Sequence, residues 1–496
     1  MKIYIYTLIL FSLLLSGCYK DKNNYTTHPI NESIIKTGSE VYAVEQLTEL
    51  AITPEISSTM NTNDNYSYEW KIFVPKEKED YTNRIPYGEV IATTKDLKET
   101  IYAPAGNYIL LYTITNNKTG VRNFKELKLT VNSAFYEGLV VAYDKNEHAE
   151  LGFIRKDGQV LHELIELING KKVTGRVQKV TPVIVKSVRL LGLTTTDNHY
   201  QIDADEFKIL RDKSNLFTSA VSTFGESYFG ANKLGYYDAP SDILYINQGK
   251  LYADMGPDWG GMMLGQYSQA FFYTSGSYQL FPFAFNGKGE SALMFYDNLN
   301  KKFLRAGFGE RELNDVVEHA TDNFNPATIN KKAVAAMLGA GDDVYYIMED
   351  GIGRYVYVMS QYSDAIASRI VPVNLTASPD FIHAKVFDAR TDQRQIYYAV
   401  DNKLYLYDLD LNNARVVLTL ASGEEISDIN VYRANMLQNS TDADFDKRIY
   451  IATNNGNTGK IYQYQIQGNG TIADKPEKEF NGFGKIVSIT YRNPNE

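Results

Sequence analysis

Cysteine is almost absent from this chain: Cys18 is the only one among 496 residues. A single cysteine cannot form a disulfide within the chain or supply a thiolate metal cluster. The six histidines are scattered, and no two of them have the spacing of metal ligands. His162-Glu163 begins like a zinc-protease helix, but Glu166 stands where the second histidine would be needed. The sequence therefore predicts no metal site and no cofactor.

Positive charge is also scarce, because 50 Lys and Arg face 60 Asp and Glu, which gives a net charge of -10. The sequence contains no cluster of basic residues that could bind a phosphate backbone, so nucleic acid is not an expected partner. Asp442, Asp444 and Asp446 alternate as in a calcium loop, but the glycine and the bidentate glutamate of such a loop are missing, which favours a solvated acidic turn.

Motifs of nucleophilic, nucleotide-binding and dinucleotide-binding enzymes are missing as well. The chain contains no G-x-S-x-G elbow, Walker loop or glycine fingerprint, and no catalytic residue is predicted. Catalysis by two carboxylates leaves no motif of this kind, so an enzyme with such a pair remains an open alternative.

The N-terminus has the pattern of a lipoprotein signal. One lysine precedes an apolar run that is too short for a membrane-spanning helix, and Leu15-Ser16-Gly17-Cys18 resembles a bacterial lipobox. The resemblance implies cleavage before Cys18 and lipidation of that residue. We expect residues 1–17 to be the signal peptide and the polar stretch 18–33 to be a flexible tether. No other apolar run is long enough to cross a bilayer, so the lipid is the expected membrane anchor.

Residues 34–133 carry short alternating segments that predict an immunoglobulin-like β-sandwich. NYILLYTITNN and FKELKLTV form a long hairpin around Gly120, and Trp70 lies on a segment that would cross the core. The Y-x-W segment at Tyr68 and Trp70 and the Gly106-Asn107-Tyr108 segment resemble the PKD domain. Val74-Pro75 replaces its usual Gly-Asp, so the resemblance is to the divergent PKD-like group.

Residues 134–496 contain a repeated hairpin. In QIYYAVDNKLYLYDLDL, residues 395–411, apolar and polar residues alternate on both sides of Asp401-Asn402, which predicts two strands and a tight turn. Similar hairpins recur 50 to 53 residues apart, starting at Val140, Leu191, Ile243, Leu293, Val344, Ile396 and Ile449. A regular period of strand hairpins predicts a β-propeller, here with seven blades.

The final apolar segment, residues 485–492, resembles the strands that precede other hairpins but has no hairpin after it. We expect it to pair with the hairpin at Val140, which would close the ring and remove two open sheet edges. Two further segments, 203–211 and 310–320, have helical spacing after an acidic start and predict short surface helices.

Two aromatic residues are candidate binding residues for a ligand or partner protein. Trp259 and Tyr267 lie in a glycine-rich loop that follows a third strand, and loop 434–447 follows a first strand. Because successive strands alternate in direction, both loops are expected at the same end of the propeller. Exposed aromatic anchors contribute strongly when a contact buries them.

Taken together, the lipobox, the PKD-like sandwich and the all-β repeat resemble the PKD-like family of surface lipoproteins of Bacteroides-type bacteria. This resemblance implies an outer-membrane, surface-exposed accessory protein of a SusC/SusD-type nutrient importer, which binds or presents oligosaccharide or peptide cargo beside companion lipoproteins. Two alternatives stay open: a propeller enzyme, such as a glycoside hydrolase, lyase or peptidase, and a purely structural interaction platform.

Overall fold

Strands dominate the computed structural model, which describes residues 33–60, 65–74, 89–185, 188–231, 243–254, 266–287, 292–307, 310–361, 363–433 and 444–492. The chain divides into two units, Met1–Asn132 and Ser133–Glu496. No helix in the described ranges has the length and apolar character needed to cross a membrane.

The first unit contains, in its described part, the strands β1 (Ser33–Lys36), β2 (Val41–Glu45), β3 (Glu49–Ile52), β4 (Glu55–Ser58), β5 (Tyr66–Phe73), β6 (Glu89–Ala92), β7 (Leu97–Thr100), β8 (Gly106–Asn116) and β9 (Arg122–Asn132). One five-stranded sheet has the order β2-β9-β8-β5-β6, and β1-β4 and β3-β7 form two-stranded sheets. The predicted hairpin is present as β8 and β9, with Gly120 at a φ of 74° in its turn.

The core of this unit follows from the alternation of side chains along the strands. Every second residue of β8, including Leu110 and Tyr112, points to the same buried face. Trp70 on β5 stacks on Tyr112 with ring centroids 4.1 Å apart, and its indole N–H donates to the carbonyl of Thr94 at 3.1 Å. Leu50 on β3 and Leu97 on β7 join the same core, so β3-β7 packs as a second layer on the large sheet.

The second unit consists of consecutive sheets, and most of them are four-stranded antiparallel sheets that resemble propeller blades. The first sheet uses β10 (Gly138–Lys145), β11 (His148–Arg155) and β12 (Val160–Leu161). The second is β13 (Val177–Val185), β14 (Val188–Thr195), β15 (His199–Asp203) and β16 (Ile209–Arg211). The third is β17 (Ser227–Ala231), β18 (Ile243–Asn247) and β19 (Lys250–Asp254).

The fourth sheet has five strands: β20 (Phe272–Tyr273), β21 (Leu280–Asn286), β22 (Ala292–Asp297), β23 (Lys302–Gly307) and β24 (Glu312–Asp315). The fifth is β25 (Lys332–Leu338), β26 (Asp343–Glu349), β27 (Arg354–Ser360) and β28 (Ala367–Pro372). The sixth is β29 (Val386–Ala389), β30 (Gln395–Val400), β31 (Lys403–Asp408) and β32 (Asn413–Thr419). The seventh is β33 (Glu425–Val431), β34 (Arg448–Asn455), β35 (Thr458–Gln465) and β36 (Lys478–Phe483).

All seven predicted hairpin starts lie in one strand of each sheet, which we call its second strand: β10, β14, β18, β22, β26, β30 and β34. The second strands are buried on both faces, as β18 and β22 show with every residue buried. A strand covered on both sides can be apolar at every position, which explains why this hairpin is the strongest repeated signal in the sequence. The outer strand β32 is exposed or half-buried throughout and carries a weaker pattern.

The predicted pairing of the last segment is confirmed. β37 (Lys485–Arg492) runs antiparallel to β10, with Val140 opposite Thr490, so the first sheet has the order β12-β11-β10-β37. Asp428 on β33 accepts a hydrogen bond from the N–H of Ile489 at 2.9 Å, which connects the last strand to the seventh sheet.

The predicted surface helices at 203–211 and 310–320 are wrong. In the first segment β15 ends at Asp203 and β16 follows, with Ile209 opposite Ile202. In the second, β24 pairs with β23. Both segments supply an outer strand, because pairing with an existing sheet edge outweighs a helical pattern of this length. The described helices are α1 (Leu164–Asn169), α2 (Lys213–Leu216) and a 3₁₀ turn at Phe381–His383.

Candidate functional site

Of the candidate residues from the sequence analysis, some lie outside the described residues and one, Tyr267, is described. Cys18 and Trp259 lie outside the described residues, and so does most of loop 434–447. Tyr267 is described, and the expectation that it is an exposed anchor is wrong because its side chain is fully buried. Isolated bridges pair Tyr267 with Phe217 and with Asp254, so this residue lies against the sheet and not in an exposed loop.

Tyr267 belongs to a buried polar cluster with Gln201, Arg211 and Asp254. The side-chain N–H of Gln201 donates to the Tyr267 hydroxyl at 3.0 Å. Arg211 donates to the other end of the Gln201 amide at 2.9 Å and pairs with Asp254 at 3.1 Å. Burial raises the pKa of Tyr267 well above its ordinary value, which keeps the phenol protonated.

His199 packs against the same cluster. Its ring stacks on Tyr245 with centroids 4.0 Å apart, and its Nδ1 lies 3.0 Å from the hydroxyl of Thr194. Burial lowers the pKa of His199 to about 3, so the imidazole is neutral at physiological pH. A neutral histidine among packed rings supports the core and cannot attract an anionic ligand.

The two motifs that the sequence analysis rejected have structural roles. Asp446 is buried and accepts hydrogen bonds from the N–H of Thr391 at 2.8 Å and from its hydroxyl. Asp444 pairs with Arg448 at 2.8 Å. The His162 ring packs on Phe483, with centroids 4.8 Å apart. Within the described ranges, no three His, Cys, Asp or Glu side chains are grouped closely enough to hold a metal ion.

A pocket that the sequence analysis missed lies where the third, fourth and fifth sheets meet. Its volume is about 240 Å³, and its lining consists of Glu226, Gln248, Gly249, Gln279, Leu280, Pro282, Asn298 and Lys332. Most of these residues come from turns between second and third strands or from the start of first strands. They are distant in sequence, so no local motif marks them.

Backbone hydrogen bonds fix the walls of this pocket. The N–H of Leu280 donates to the carbonyl of Gly249 at 3.0 Å, and the N–H of Asn298 donates to the carbonyl of Gln279 at 2.8 Å. Gly249 has a φ of +76°, and a Cβ there would lie 2.5 Å from Cγ of Gln279. Glycine is therefore required both for the turn conformation and for the close approach of Gln279.

The polar side chains of the pocket differ in the hydrogen bonds that they already make with other described residues. Both ends of the Asn298 amide bind the backbone of Ala333, at 2.8 and 3.2 Å. The side-chain amide of Gln279 has no hydrogen-bond partner among the described residues, and that of Gln248 has only a 3.5 Å contact from Thr223. Two exposed amides can thus donate to and accept from a polar ligand.

Comparison with known proteins adds family information for the N-terminal part. The model of the PKD-like family matches residues 18–176. This match covers the described strands β1 to β9 and extends through the hairpin β10-β11 to the residue before β13. Comparison with curated proteins found no match.

Several solved structures are similar to the chain at low identity. A quinonprotein alcohol dehydrogenase-like protein from Bacteroides thetaiotaomicron has 14% identity and a TM-score of 0.47, covering 92% of this chain and 97% of its own. The periplasmic gluconolactonase of Pseudomonas aeruginosa has 12% identity and a TM-score of 0.46, covering 72% and 98%. PorZ, a surface component of the type-IX secretion system of Porphyromonas gingivalis, has 10% identity and a TM-score of 0.35, covering 76% and 44%.

Proposed function

We propose that the protein is a lipid-anchored lipoprotein of the outer-membrane surface that binds a small polar nutrient fragment, from a glycan or a peptide, as an accessory subunit of a SusC/SusD-type importer. The observation that carries the binding role is the 240 Å³ pocket with its two available amides, Gln248 and Gln279. Convergent polar groups on a fixed wall are what a selective binding site needs.

We further propose that the seven sheets are the blades of one closed propeller that presents this pocket. Two observations support closure. The first is the pairing of β37 with β10. The second is the contact between first strands of successive sheets, which links β37 to β13, β13 to β17, β17 to β21, β21 to β25, β25 to β29, β29 to β33 and β33 to β37.

Ligand binding is tested by calorimetric titration of the purified chain with soluble oligosaccharides and short peptides. Gln279→Ala removes an amide that has no partner among the described residues, so it should weaken binding about tenfold or more while the melting temperature stays unchanged. Ser275→Ala, at an exposed residue outside the pocket lining, is the control. Equal affinity of the wild type and Gln279→Ala for every ligand would place binding elsewhere.

Membrane attachment and importer association need separate tests. Cys18→Ala should move the chain from the membrane to the soluble fraction, and protease treatment of intact cells should digest the wild type. Detergent extraction and affinity purification of the wild type should recover an outer-membrane transport protein. Recovery of the chain alone would contradict the importer role but leave ligand binding intact.

A further inference from the structure

The pocket carries one acidic and one basic side chain, and neither has an ion-pair partner among the described residues. Glu226 lies just before β17, and Lys332 is the first residue of β25. Both side chains are exposed, and both line the same small cavity. Opposite charges that are held by different sheets and do not neutralise each other are available to a ligand.

Two nearby lysines of the fourth and fifth sheets are already paired and do not line the pocket. Lys331 pairs with Asp350 at 2.7 Å, and its ammonium lies 3.9 Å from the ring centroid of Tyr355. Lys302 likewise pairs with Asp315 on the next strand. Lys302 and Lys331 therefore have acidic partners, whereas Lys332 lines the pocket and has no such partner among the described residues.

The size of the pocket limits the ligand. A volume of 240 Å³ is smaller than the roughly 300–1,000 Å³ that drug-sized molecules fill. Such a space accommodates one or two amino-acid residues or one sugar unit, but not a longer peptide or an oligosaccharide.

We propose that the pocket binds a zwitterionic ligand, namely a free amino acid or a dipeptide with unblocked ends. Its ammonium binds Glu226, its carboxylate binds Lys332, and the amides of Gln248 and Gln279 match a peptide group by donating and accepting. A neutral sugar would leave both charges without a partner, so the charge pattern favours peptide over glycan. This inference rests on the proposed binding function and specifies its ligand class.

The test uses calorimetric titration of the full chain in detergent with four probes: glycylglycine, N-acetylglycylglycine, glycylglycine amide and glucose. Glycylglycine should bind, and blocking either end should weaken binding about tenfold or more, because each block removes one charge-assisted contact. Glu226→Gln should abolish the preference for the free amine, and Lys332→Gln should abolish the preference for the free carboxylate. Comparing each variant with the wild type, on free and on blocked dipeptides, assigns each charge to one end of the ligand.

Glu425→Gln and Lys475→Gln are matched controls, since both residues are exposed residues of the seventh-sheet region with no ion pair among the described residues. Both should retain the wild-type preferences. Equal binding of blocked and free dipeptides, or unchanged preferences in the two pocket variants, would overturn the inference. Binding of glucose alone, lost in Gln279→Ala, would overturn it while the proposed binding function stands. Binding of none of the four probes would overturn both.

Discussion

Asn454 holds the backbone of Ile486 with both ends of its side-chain amide. Its Nδ2 donates to the carbonyl of Ile486 at 2.8 Å, and its Oδ1 accepts from the N–H of the same residue at 2.8 Å. Asn454 lies on β34 of the seventh sheet, whereas Ile486 lies on β37 of the first. Asn298 and Ala333 repeat this arrangement between the fourth and fifth sheets. One amide side chain can therefore join two sheets without strand pairing.

Removing this amide should destabilise the second unit. Asn454→Ala leaves two buried backbone groups of Ile486 without these partners, and each such group costs about 1–3 kcal/mol. Urea unfolding should show a correspondingly lower free energy of unfolding. Asn455→Ala, at the exposed neighbouring residue, is the control and should unfold like the wild type. Equal unfolding of both variants would contradict the role of Asn454.

Truncation after Gly484 should affect the whole second unit. It removes β37, exposes the paired edge of β10 and leaves Asp428 without its contact to Ile489. The first sheet then has an unpaired edge, and Asn454 and Asp428 of the seventh sheet lose their backbone partners. Calorimetry should show loss or broadening of the main transition. A chain truncated after Arg492 keeps every β37 contact and serves as the control, and identical melting of the two truncations would refute the prediction.

Tyr267 should respond to mutation as a core residue. Tyr267→Ala leaves a cavity beside Phe217 and Tyr245 and should cost about 3–5 kcal/mol, as large-to-small core substitutions do. Tyr267→Phe keeps the ring but deprives the Gln201 amide of its acceptor, at a cost of about 1–3 kcal/mol. Denaturant unfolding measures both losses. Tyr136→Ala, at an exposed tyrosine of the same unit, should cost little. A wild-type unfolding free energy for Tyr267→Ala would rule out this packing.

Glu150 should make stability depend on pH. Its carboxylate is buried and accepts a hydrogen bond from the N–H of Glu166 at 3.1 Å, and burial raises its pKa to about 8. Between the ordinary value of 4.5 and about 8, the folded state binds this proton more tightly than the unfolded state. Stability should therefore fall as pH rises through this window.

The variant Glu150→Gln keeps an acceptor for Glu166 and removes the titration. It should match the wild type at pH 5 and exceed it at pH 8 by on the order of a few kcal/mol, because one pKa unit corresponds to about 1.4 kcal/mol. Melting temperatures of both chains across this range give the comparison. Glu147→Gln, at an exposed residue of the same hairpin turn, should leave the pH profile unchanged. Parallel profiles for the wild type and Glu150→Gln would contradict the assignment.

The repeated hairpin pattern was sufficient to identify the strands that are buried most deeply. The hairpins at Ile243 and Ile396 are rich in apolar residues and recur at intervals of 50 to 53 residues, and these local properties are written directly in the sequence. The β8-β9 hairpin and the last strand, Lys485–Arg492, were predicted for the same reason. The outer strands at Ile209–Arg211 and Glu312–Asp315 were not, because only the edge of an already formed sheet decides their conformation.

The sequence by itself determined the β repeat and the hairpin boundaries, since each depends on the side-chain pattern of a short segment. It also indicated the pairing partner of the last strand, because that segment resembles a first strand but has no hairpin after it. Only the tertiary structure decided that Tyr267 is buried and that Glu226, Gln279 and Lys332 line one pocket. Those residues are brought together by the packing of three sheets. Their proximity depends on the positions of turns distant in sequence, and no local pattern records it.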